Sequence, residues 1–382
     1  MRRLCAMGIA IAVPCGGVSC SLITSLDDPT VKEAGSADAS SDQNVASDAS
    51  PIILASLGDD AGIVGLYVDS QTNDLFFTAT NLGNVYEIAA GTTTPAPVIT
   101  QLARPDRITG SFAANGSSVV YVAAFGPSPT GAGIFRLFDG GVNAAVGTGS
   151  FVASGSTFPL HPYGIAVFAS TQPTIYWTNC NDPSPTPSCN TANSQIIETD
   201  LTKGTSTLRA TITTDFARDI VTTDDMVLWD TVAAKLYAQS LDDGGTAQVL
   251  EPTCAGVIYY APAPAGNLVS ARIYFTSAAS CGTTNAILYR DLSNLSTAKQ
   301  TFATDNVNGV FSMTSDGTYL YWANHGDGTI VRQAVVGSTP PQPPQVVVTS
   351  PAAAGPPKQM VVSRGVLYWT TDSSVVSFTL PP

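Results

Sequence analysis

All four tryptophans of this chain occupy one position of a repeated strand pattern. Phenylalanine or valine fills the same position in the gaps between them, which gives a column of seven residues. In order, the column consists of Phe77, Val122, Trp177, Trp229, Phe275, Trp322 and Trp369. Its steps are 45, 55, 52, 46, 47 and 47 residues. A recurring period in this range is typical of solenoids and propellers, so the sequence predicts seven copies of one structural unit.

Each repeat has the same internal pattern of four short apolar segments separated by turns. In the third repeat these segments are 164–168, 175–178, 195–200 and 206–212. Four antiparallel strands per repeat form one propeller blade. The aromatic second strand is apolar on both sides, as expected for a strand packed between two blades.

The seventh repeat has three strand patterns where the others have four. Its third strand, 375–380, is followed only by the last residues of the chain. The apolar segment 52–56 precedes the first repeat at the place where a fourth strand precedes the next repeat elsewhere. We therefore predict an all-β, seven-bladed propeller of four-stranded antiparallel blades, in which residues 52–56 complete the last blade. Such closure removes the sheet edges that an open array would expose.

The aromatic column resembles that of the YWTD and NHL-type β-propellers, in which an aromatic-rich second strand recurs once per blade. The resemblance covers residues 51–382. It implies the architecture and leaves the activity open, because propellers carry unrelated functions.

The N-terminal segment has the pattern of an export signal. Arg2 and Arg3 precede the short apolar run 4–13, which is too short to span a bilayer as a helix. The stretch 17–20, Gly-Val-Ser-Cys, resembles the processing site of secreted bacterial lipoproteins. We expect a signal peptide at 1–19, a lipid on Cys20 and location at the bacterial cell envelope. The alternative is an ordinary secretory cut near Ser19 and a secreted protein.

Residues 20–50 are predicted to form a disordered tether between this anchor and the propeller at 51–382. The part from 36 to 50 is composed of Ser, Ala, Asp, Gln and Asn with a single valine. A segment of this composition buries too little apolar surface to offset the entropy of ordering it.

Four cysteines lie in the predicted propeller, and an even number in an exported chain predicts two disulfides. The blade pattern favours Cys180 with Cys189, in one loop, and Cys254 with Cys281, in neighbouring loops of one blade. Pairing across blades three and five would need Cα atoms closer than the intervening blade allows. No Cys-x-x-Cys motif is present, so no zinc site is predicted.

The overall charge limits the partners. The formal net charge is −13, whereas nucleic-acid binding requires clustered Lys and Arg. We expect no nucleic-acid partner, no cofactor and no bound metal. The protein is expected to be a monomer that meets the membrane only through its lipid.

In a propeller, the loop that leads into each blade and the loop between the second and third strands lie on one face, around the mouth of the central channel. Polar residues in these loops are the candidate ligand-binding set. They are Asp106, Arg107, His161, Tyr163, Arg218, Asp219, His325 and Lys358. Asp59, Asp60, Asn308 and Gln359 lie in the same loops. The alternative is a solvated rim with local ion pairs.

Two functions are compatible with these residues. The first is a binding or scaffolding module for an envelope or extracellular protein or a glycan. The second is a propeller enzyme, a lyase or a lactonase-like hydrolase, for which His161 and His325 would supply acid–base chemistry. The three glutamates after the tether, Glu87, Glu198 and Glu251, all lie outside the loops that lead into the blades. No Gly-x-Ser-x-Gly elbow is present either, so we assign no catalytic residue.

Overall fold

A computed structural model describes most of the predicted propeller. The described residues are 50–112, 118–125, 133–138, 150–151, 162–168, 174–180, 194–213, 215–242, 245–253, 255–261, 271–277, 285–335 and 342–381. Within these ranges the regular structure consists entirely of β-strands, and they form seven sheets of four antiparallel strands. The seven-bladed fold predicted from the aromatic column is therefore confirmed.

The strands are numbered β1 to β28 in chain order, and each takes one of four positions in its blade. The first and innermost strands are β2 (Ile63–Val68), β6 (Pro105–Phe112), β10 (Pro162–Phe168), β14 (Ala217–Thr222), β18 (Ala255–Ala261), β22 (Val310–Ser315) and β26 (Met360–Ser363). The second strands are β3 (Leu75–Ala79), β7 (Ser118–Ala124), β11 (Thr174–Cys180), β15 (Met226–Thr231), β19 (Arg272–Ser277), β23 (Tyr319–Asn324) and β27 (Val366–Thr370).

The two outer positions complete the blades. The third strands are β4 (Asn84–Ile88), β8 (Gly133–Phe138), β12 (Ser194–Asp200), β16 (Leu236–Ser240), β20 (Ile287–Asp291), β24 (Thr329–Ala334) and β28 (Ser374–Thr379). The outermost strands are β5 (Ala96–Ile99), β9 (Ser150–Phe151), β13 (Thr205–Ile212), β17 (Gln248–Glu251), β21 (Gln300–Ala303), β25 (Gln345–Thr349) and β1 (Ile52–Ser56).

The strand nearest the N-terminus closes the ring. β1 pairs antiparallel with β28, with Ile52 opposite Ser377 and Ser56 opposite Ser374, so the seventh sheet has the order β1-β28-β27-β26. Ala55 is buried in the apolar cluster between blades seven and one, together with Val375. The innermost strands β26 and β2 are also in contact. The predicted closure by residues 52–56 is confirmed.

Burial on both faces explains why tyrosine and tryptophan stand side by side in the second strands. Successive side chains of a strand point to opposite faces of the sheet. Trp322 therefore packs in the seam between blades five and six, and Tyr321 packs in the seam between blades six and seven. All four tryptophans of the column are at most 1% exposed.

Threonines that follow the aromatic column join neighbouring blades. In blade one, Thr78 Oγ1 accepts the Gly65 N–H at 2.7 Å and donates to the Asp106 carbonyl of blade two at 2.8 Å. A Cβ at Gly65 would lie 2.3 Å from that carbonyl oxygen, so only glycine allows this approach. Because one hydroxyl both accepts and donates, it links the inner strands of two blades.

The same joint recurs around the ring. Thr178 Oγ1 accepts the Gly164 N–H at 2.7 Å and donates to the Arg218 carbonyl of blade four at 3.3 Å. Thr370 links blades seven and one in the same way. We call Thr78, Thr178 and Thr370 the seam threonines.

Several sequence predictions fall outside the described residues. They concern the signal and tether up to residue 49, together with Cys20, His161, Cys189, Cys254 and Cys281. Cys180 is described and is fully buried at the end of β11. The lipid anchor and the disulfide pairing remain predictions.

In the described part of the chain, no helix combines the length and the hydropathy needed to cross a bilayer.

Candidate functional site at the channel mouth

Each blade supplies one residue to a single layer at the mouth of the channel, from its innermost strand or, in blade seven, from the residue before that strand. The layer residue immediately precedes the inner-strand residue that pairs with the aromatic column. In blades one to six, the pairing between the first and second strands shifts register at the layer residue or just before it. The mouth layer consists of Gly65, Arg107, Gly164, Asp219, Val257, Ser312 and Gln359. A bulge re-aims a side chain relative to the regular ladder, and in blades one to five the layer residue lies within the shifted stretch.

Arg107 crosses the mouth layer and connects three blades. From blade two, its Nη2 pairs with Asp219 Oδ1 of blade four at 2.7 Å. Its Nη1 donates to Gln359 Oε1 of blade seven at 3.1 Å. The layer positions of the intervening blades one and three are Gly65 and Gly164, where a Cβ would lie 2.3 and 2.2 Å from the carbonyl oxygens of Asp106 and Arg218 in the next blade. The Arg107 side chain is 20% exposed, so its charge is held in a partly desolvated environment.

Aromatic side chains form one wall of the mouth. The guanidinium carbon of Arg107 lies 6.0 Å from the centre of the Tyr163 ring. Tyr163 packs edge-on against Phe216 and Phe125, with ring centres 5.4 and 6.4 Å away. Burial raises the pKa of Tyr163, and the charge of Asp106 adds to this effect. Tyr163 is therefore neutral around pH 7 and offers a ring face to the guanidinium.

Blade four has a carboxylate where other blades have a seam threonine. Asp230 follows Trp229 in β15 and is fully buried. Its Oδ1 accepts the Asp219 N–H at 2.8 Å, and its Oδ2 pairs with Arg218. Burial, followed by the charge of Asp219, raises the pKa of Asp230 to about 8. Asp230 thus fixes the backbone that presents Asp219 to Arg107.

Asp106 completes the group. Burial raises its pKa, although the positive charge of Arg107 acts in the opposite direction. We call Asp106, Arg107, Tyr163, Arg218, Asp219, Asp230 and Gln359 the mouth cluster. Buried charges require compensating partners, and this cluster supplies them from blades two, three, four and seven.

The structure brings together five of the eight predicted site residues, namely Asp106, Arg107, Tyr163, Arg218 and Asp219. Two others lie apart from the cluster's contacts. Lys358 pairs with Asp372 within blade seven. His325 lies beside Phe311, with ring centres 5.7 Å apart. The eighth, His161, is outside the described residues.

Two members of the mouth cluster were not among those eight. Gln359 belongs to the wider set of loop residues named from the sequence, and Asp230 lies in a second strand outside that set. The signal for Asp230 is its place in the repeat. It directly follows the aromatic column, where blades one, three, five and seven have threonine and blades two and six have alanine.

The channel contains a cavity of about 510 Å³, and its lining includes every residue of the mouth layer except Gly65. All seven innermost strands contribute to its wall, including Ile108, Val221 and Val361. Tyr67, Tyr259 and Tyr260 line the same cavity and come from the later part of their strands, toward the opposite end. The mouth cluster therefore lies at one end of this cavity.

The described residues contain no group of three or more His, Cys, Asp or Glu side chains placed to hold a metal ion.

No protein-family model and no curated protein sequence matches this chain. Solved structures with a similar fold include streptogramin B lyase, with a TM-score of 0.59 and 13% identity over 87% of this chain and 98% of that chain. Virginiamycin B lyase from Staphylococcus aureus gives a TM-score of 0.56 and 13% identity, over 87% and 99%. Its catalytically inactive variant with Quinupristin gives 0.54 and 12%, over the same shares. At these identities the similarity establishes the propeller fold alone.

Proposed function

We propose that this protein is a binding module of the bacterial cell envelope, anchored by a lipid on Cys20, with its ligand site at the mouth cluster. The observation that carries the proposal is the contact of Arg107 with both Asp219 and Gln359 across the channel. Polar groups from several blades converge on one opening, beside aromatic walls and at one end of a cavity. This combination is the usual character of a ligand site.

The ligand is proposed to be an extracellular or envelope glycan, or an exposed loop of a protein. Arg107 and Asp219 offer a donor and an acceptor side by side, and Tyr163 and Phe311 offer apolar ring faces. Hydroxyl-rich ligands and polar loops present both kinds of surface. The predicted tether would allow the ring to reach such ligands from the membrane.

Affinity capture from intact cell envelopes tests the proposal. Arg107→Met keeps the length of the side chain and removes its charge and its donors. We expect at least tenfold less ligand on this variant than on the parent. Lys203→Met is the matched control, because Lys203 is a charged side chain that is 66% exposed and pairs with Asp200 outside the cluster. Equal capture by all three proteins would refute the mouth as the ligand site.

An enzyme is the second candidate, and His325 is the observation in its favour. Its Nδ1 is buried and has no hydrogen-bond partner among the described residues. Its neighbour Phe311 lines the channel cavity. A histidine with an unused nitrogen beside a cavity can act as an acid or a base. The similar folds of two lyases make Quinupristin, which is present in one of the virginiamycin B lyase structures, the first compound to test.

Incubation of Quinupristin with the parent and with His325→Ala tests this candidate. A lyase would convert the compound into a product with a different chromatographic retention, and the variant would not. Unchanged retention with both proteins would remove this substrate class from consideration.

A further inference from the structure

The cavity in the channel has the properties of a small-molecule pocket. Its volume of about 510 Å³ lies within the range of about 300 to 1,000 Å³ that such pockets occupy. Half-buried aliphatic side chains from five different blades line it: Ile108, Val167, Val221, Val257 and Val361. Aliphatic and polar groups thus share the wall of the cavity about equally, and the aliphatic side chains can contact the apolar body of a ligand.

The hydroxyl groups in this wall are largely used by the protein itself. Thr222 Oγ1 donates to the Val167 carbonyl at 3.0 Å. The Tyr259 hydroxyl is hydrogen-bonded to Thr314 and to the Ser315 backbone. A buried water needs two to four polar partners, and a wall with its hydroxyls engaged provides few. A molecule with an apolar body therefore suits the middle of the channel better than a column of water.

At the mouth end, the donors suit a carboxylate. Gln359 accepts from Arg107 through Oε1, which leaves its amide N–H₂ group as a donor. Arg107 Nε has no hydrogen-bond partner among the described residues. Guanidinium and amide N–H groups held side by side match the geometry of a carboxylate. Asp219 already neutralises part of the charge of Arg107, which favours one negative charge over several.

The opposite end disfavours an anion. Burial raises the pKa of Tyr67 to about 12, with a further contribution from the charge of Asp69. Burial also raises the pKa of Tyr260, and the charges of Asp224 and Asp225 add to it. The charges of Asp69, Asp224 and Asp225 thus act on the tyrosines at this end of the channel. Arg107 and Arg218 lie at the mouth end, so an acidic ligand has one favourable orientation, with its carboxylate toward Arg107.

We propose that the channel binds a small monocarboxylic acid, with its carboxylate on Arg107 and Gln359 and its apolar body between the aliphatic walls. This site goes beyond the proposed capture of a glycan or a protein at the mouth. It shares Arg107 with that function but depends on the channel interior, which the larger ligand would not enter.

Titration calorimetry with octanoate, 1-octanol and acetate tests the proposal on the purified protein. Octanoate has both parts of the proposed ligand, 1-octanol lacks the charge and acetate lacks the body. We expect octanoate to bind at least tenfold more tightly than either control. Arg107→Met should lower the affinity for octanoate at least tenfold and leave the affinity for 1-octanol unchanged. Octanoate affinity equal to that of 1-octanol, or no binding of octanoate, would overturn the proposal.

Two further variants separate the channel from the mouth. Val221→Trp and Val361→Trp each fill the cavity from a different blade, so a folding defect in one leaves the other as a test. The melting temperature identifies the folded variants. Loss of octanoate binding with normal capture of the envelope ligand supports the channel site. Octanoate binding that survives in a folded channel variant contradicts it, whatever the outcome for the mouth ligand.

Discussion

Blades three and four use the same position of the second strand for two different joints. In blade three, Thr178 accepts the N–H of its own inner strand and donates to the carbonyl of Arg218 in the next blade. In blade four, Asp230 accepts the N–H of Asp219 but has no hydrogen to donate while it is ionised. It pairs instead with the Arg218 side chain of its own blade. The threonine joint cannot titrate, whereas the aspartate joint contains an ionisable carboxyl group beside a guanidinium group.

This difference shows how a repeated structural joint can become part of a site. The hydroxyl of Thr178 is fully used between two backbones. The carboxylate of Asp230 recruits a cation and holds the backbone of Asp219, whose own carboxylate pairs with Arg107 across the channel. One change within the repeat therefore introduces charge at the mouth while the strand pairing is preserved.

Loss of the closing strand β1 should have the largest effect on stability, because both joints lie in a ring that β1 closes. Deletion of residues 51–56 removes β1 and exposes the edge of β28. We expect aggregation, or a melting temperature lower by roughly 10 °C or more, because several backbone hydrogen bonds of about 1 kcal/mol each are lost. Deletion of residues 36–41, in the predicted tether, is a control of the same length. Calorimetry should show unchanged melting for the control, and equal melting for both deletions would contradict closure by β1.

Breaking the aspartate joint should have the next largest effect. Asp230→Ala leaves Arg218 and the Asp219 N–H without their buried acceptor. We expect a loss of about 3 kcal/mol in the free energy of unfolding, at the lower end for a buried pair because Arg218 is 33% exposed. Denaturation with guanidinium chloride measures this free energy of unfolding.

Asp230→Thr is the informative companion variant. Its hydroxyl can accept the Asp219 N–H as in blades one and three, so it should recover part of the loss. Arg107 should pair less well with Asp219 in Asp230→Ala than in Asp230→Thr, and ligand capture at the mouth should follow the same order. An Asp230→Thr protein as unstable as Asp230→Ala would mean that the shared position does not define a shared joint.

Breaking the neutral joint should lower the free energy of unfolding by less than breaking the joint of Asp230. Thr178→Val keeps the shape and removes the hydroxyl, which leaves the Gly164 N–H and the Arg218 carbonyl without this partner. We expect a loss of about 2 kcal/mol. Thr178→Ser retains the hydroxyl and should lose less than half as much. Ligand capture at the mouth should remain normal in both, since the joint itself carries no charge. A Thr178→Val protein with parental stability would show that this bond contributes nothing net.

The fold could be predicted from the sequence because each position of the repeated strand pattern has the same burial in every blade. Trp177 and its equivalents are packed on both faces, and such positions tolerate few residue types. Residues 52–56 could be assigned to the last blade because a four-strand unit with three strands has one defined vacancy. Both conclusions depend on patterns that recur seven times.

The site was only partly predictable because its contacts join distant blades. The loops identified Arg107 and Asp219 as candidates, but their pairing depends on how far Arg107 reaches across the channel. Asp230 was missed because it lies in a strand, where a buried carboxylate has to be recognised by its departure from threonine. Lys358 pairs within its own blade, a contact that the loop pattern alone does not distinguish.

The smallest expected effect is the pH dependence of the aspartate joint. The pKa of Asp230 in the folded protein is raised, by burial first and then by Asp219, from an ordinary 3.8 to about 8. The folded state therefore binds more protons than the unfolded state between these values. The stability that this group contributes is complete below about pH 4 and is lost as the pH rises toward 8.

Asp230→Asn cannot ionise and should lack this dependence. Denaturation at pH 5, 6 and 7 should give the parent a steeper fall in unfolding free energy than Asp230→Asn, by about 1 kcal/mol or less per pH unit. The matched neutral variant Thr178→Ser should keep the parental slope, since its joint does not titrate. Parallel slopes for the parent and Asp230→Asn would show that Arg218 keeps Asp230 ionised throughout, so that the two joints would differ in charge but not in their response to protons.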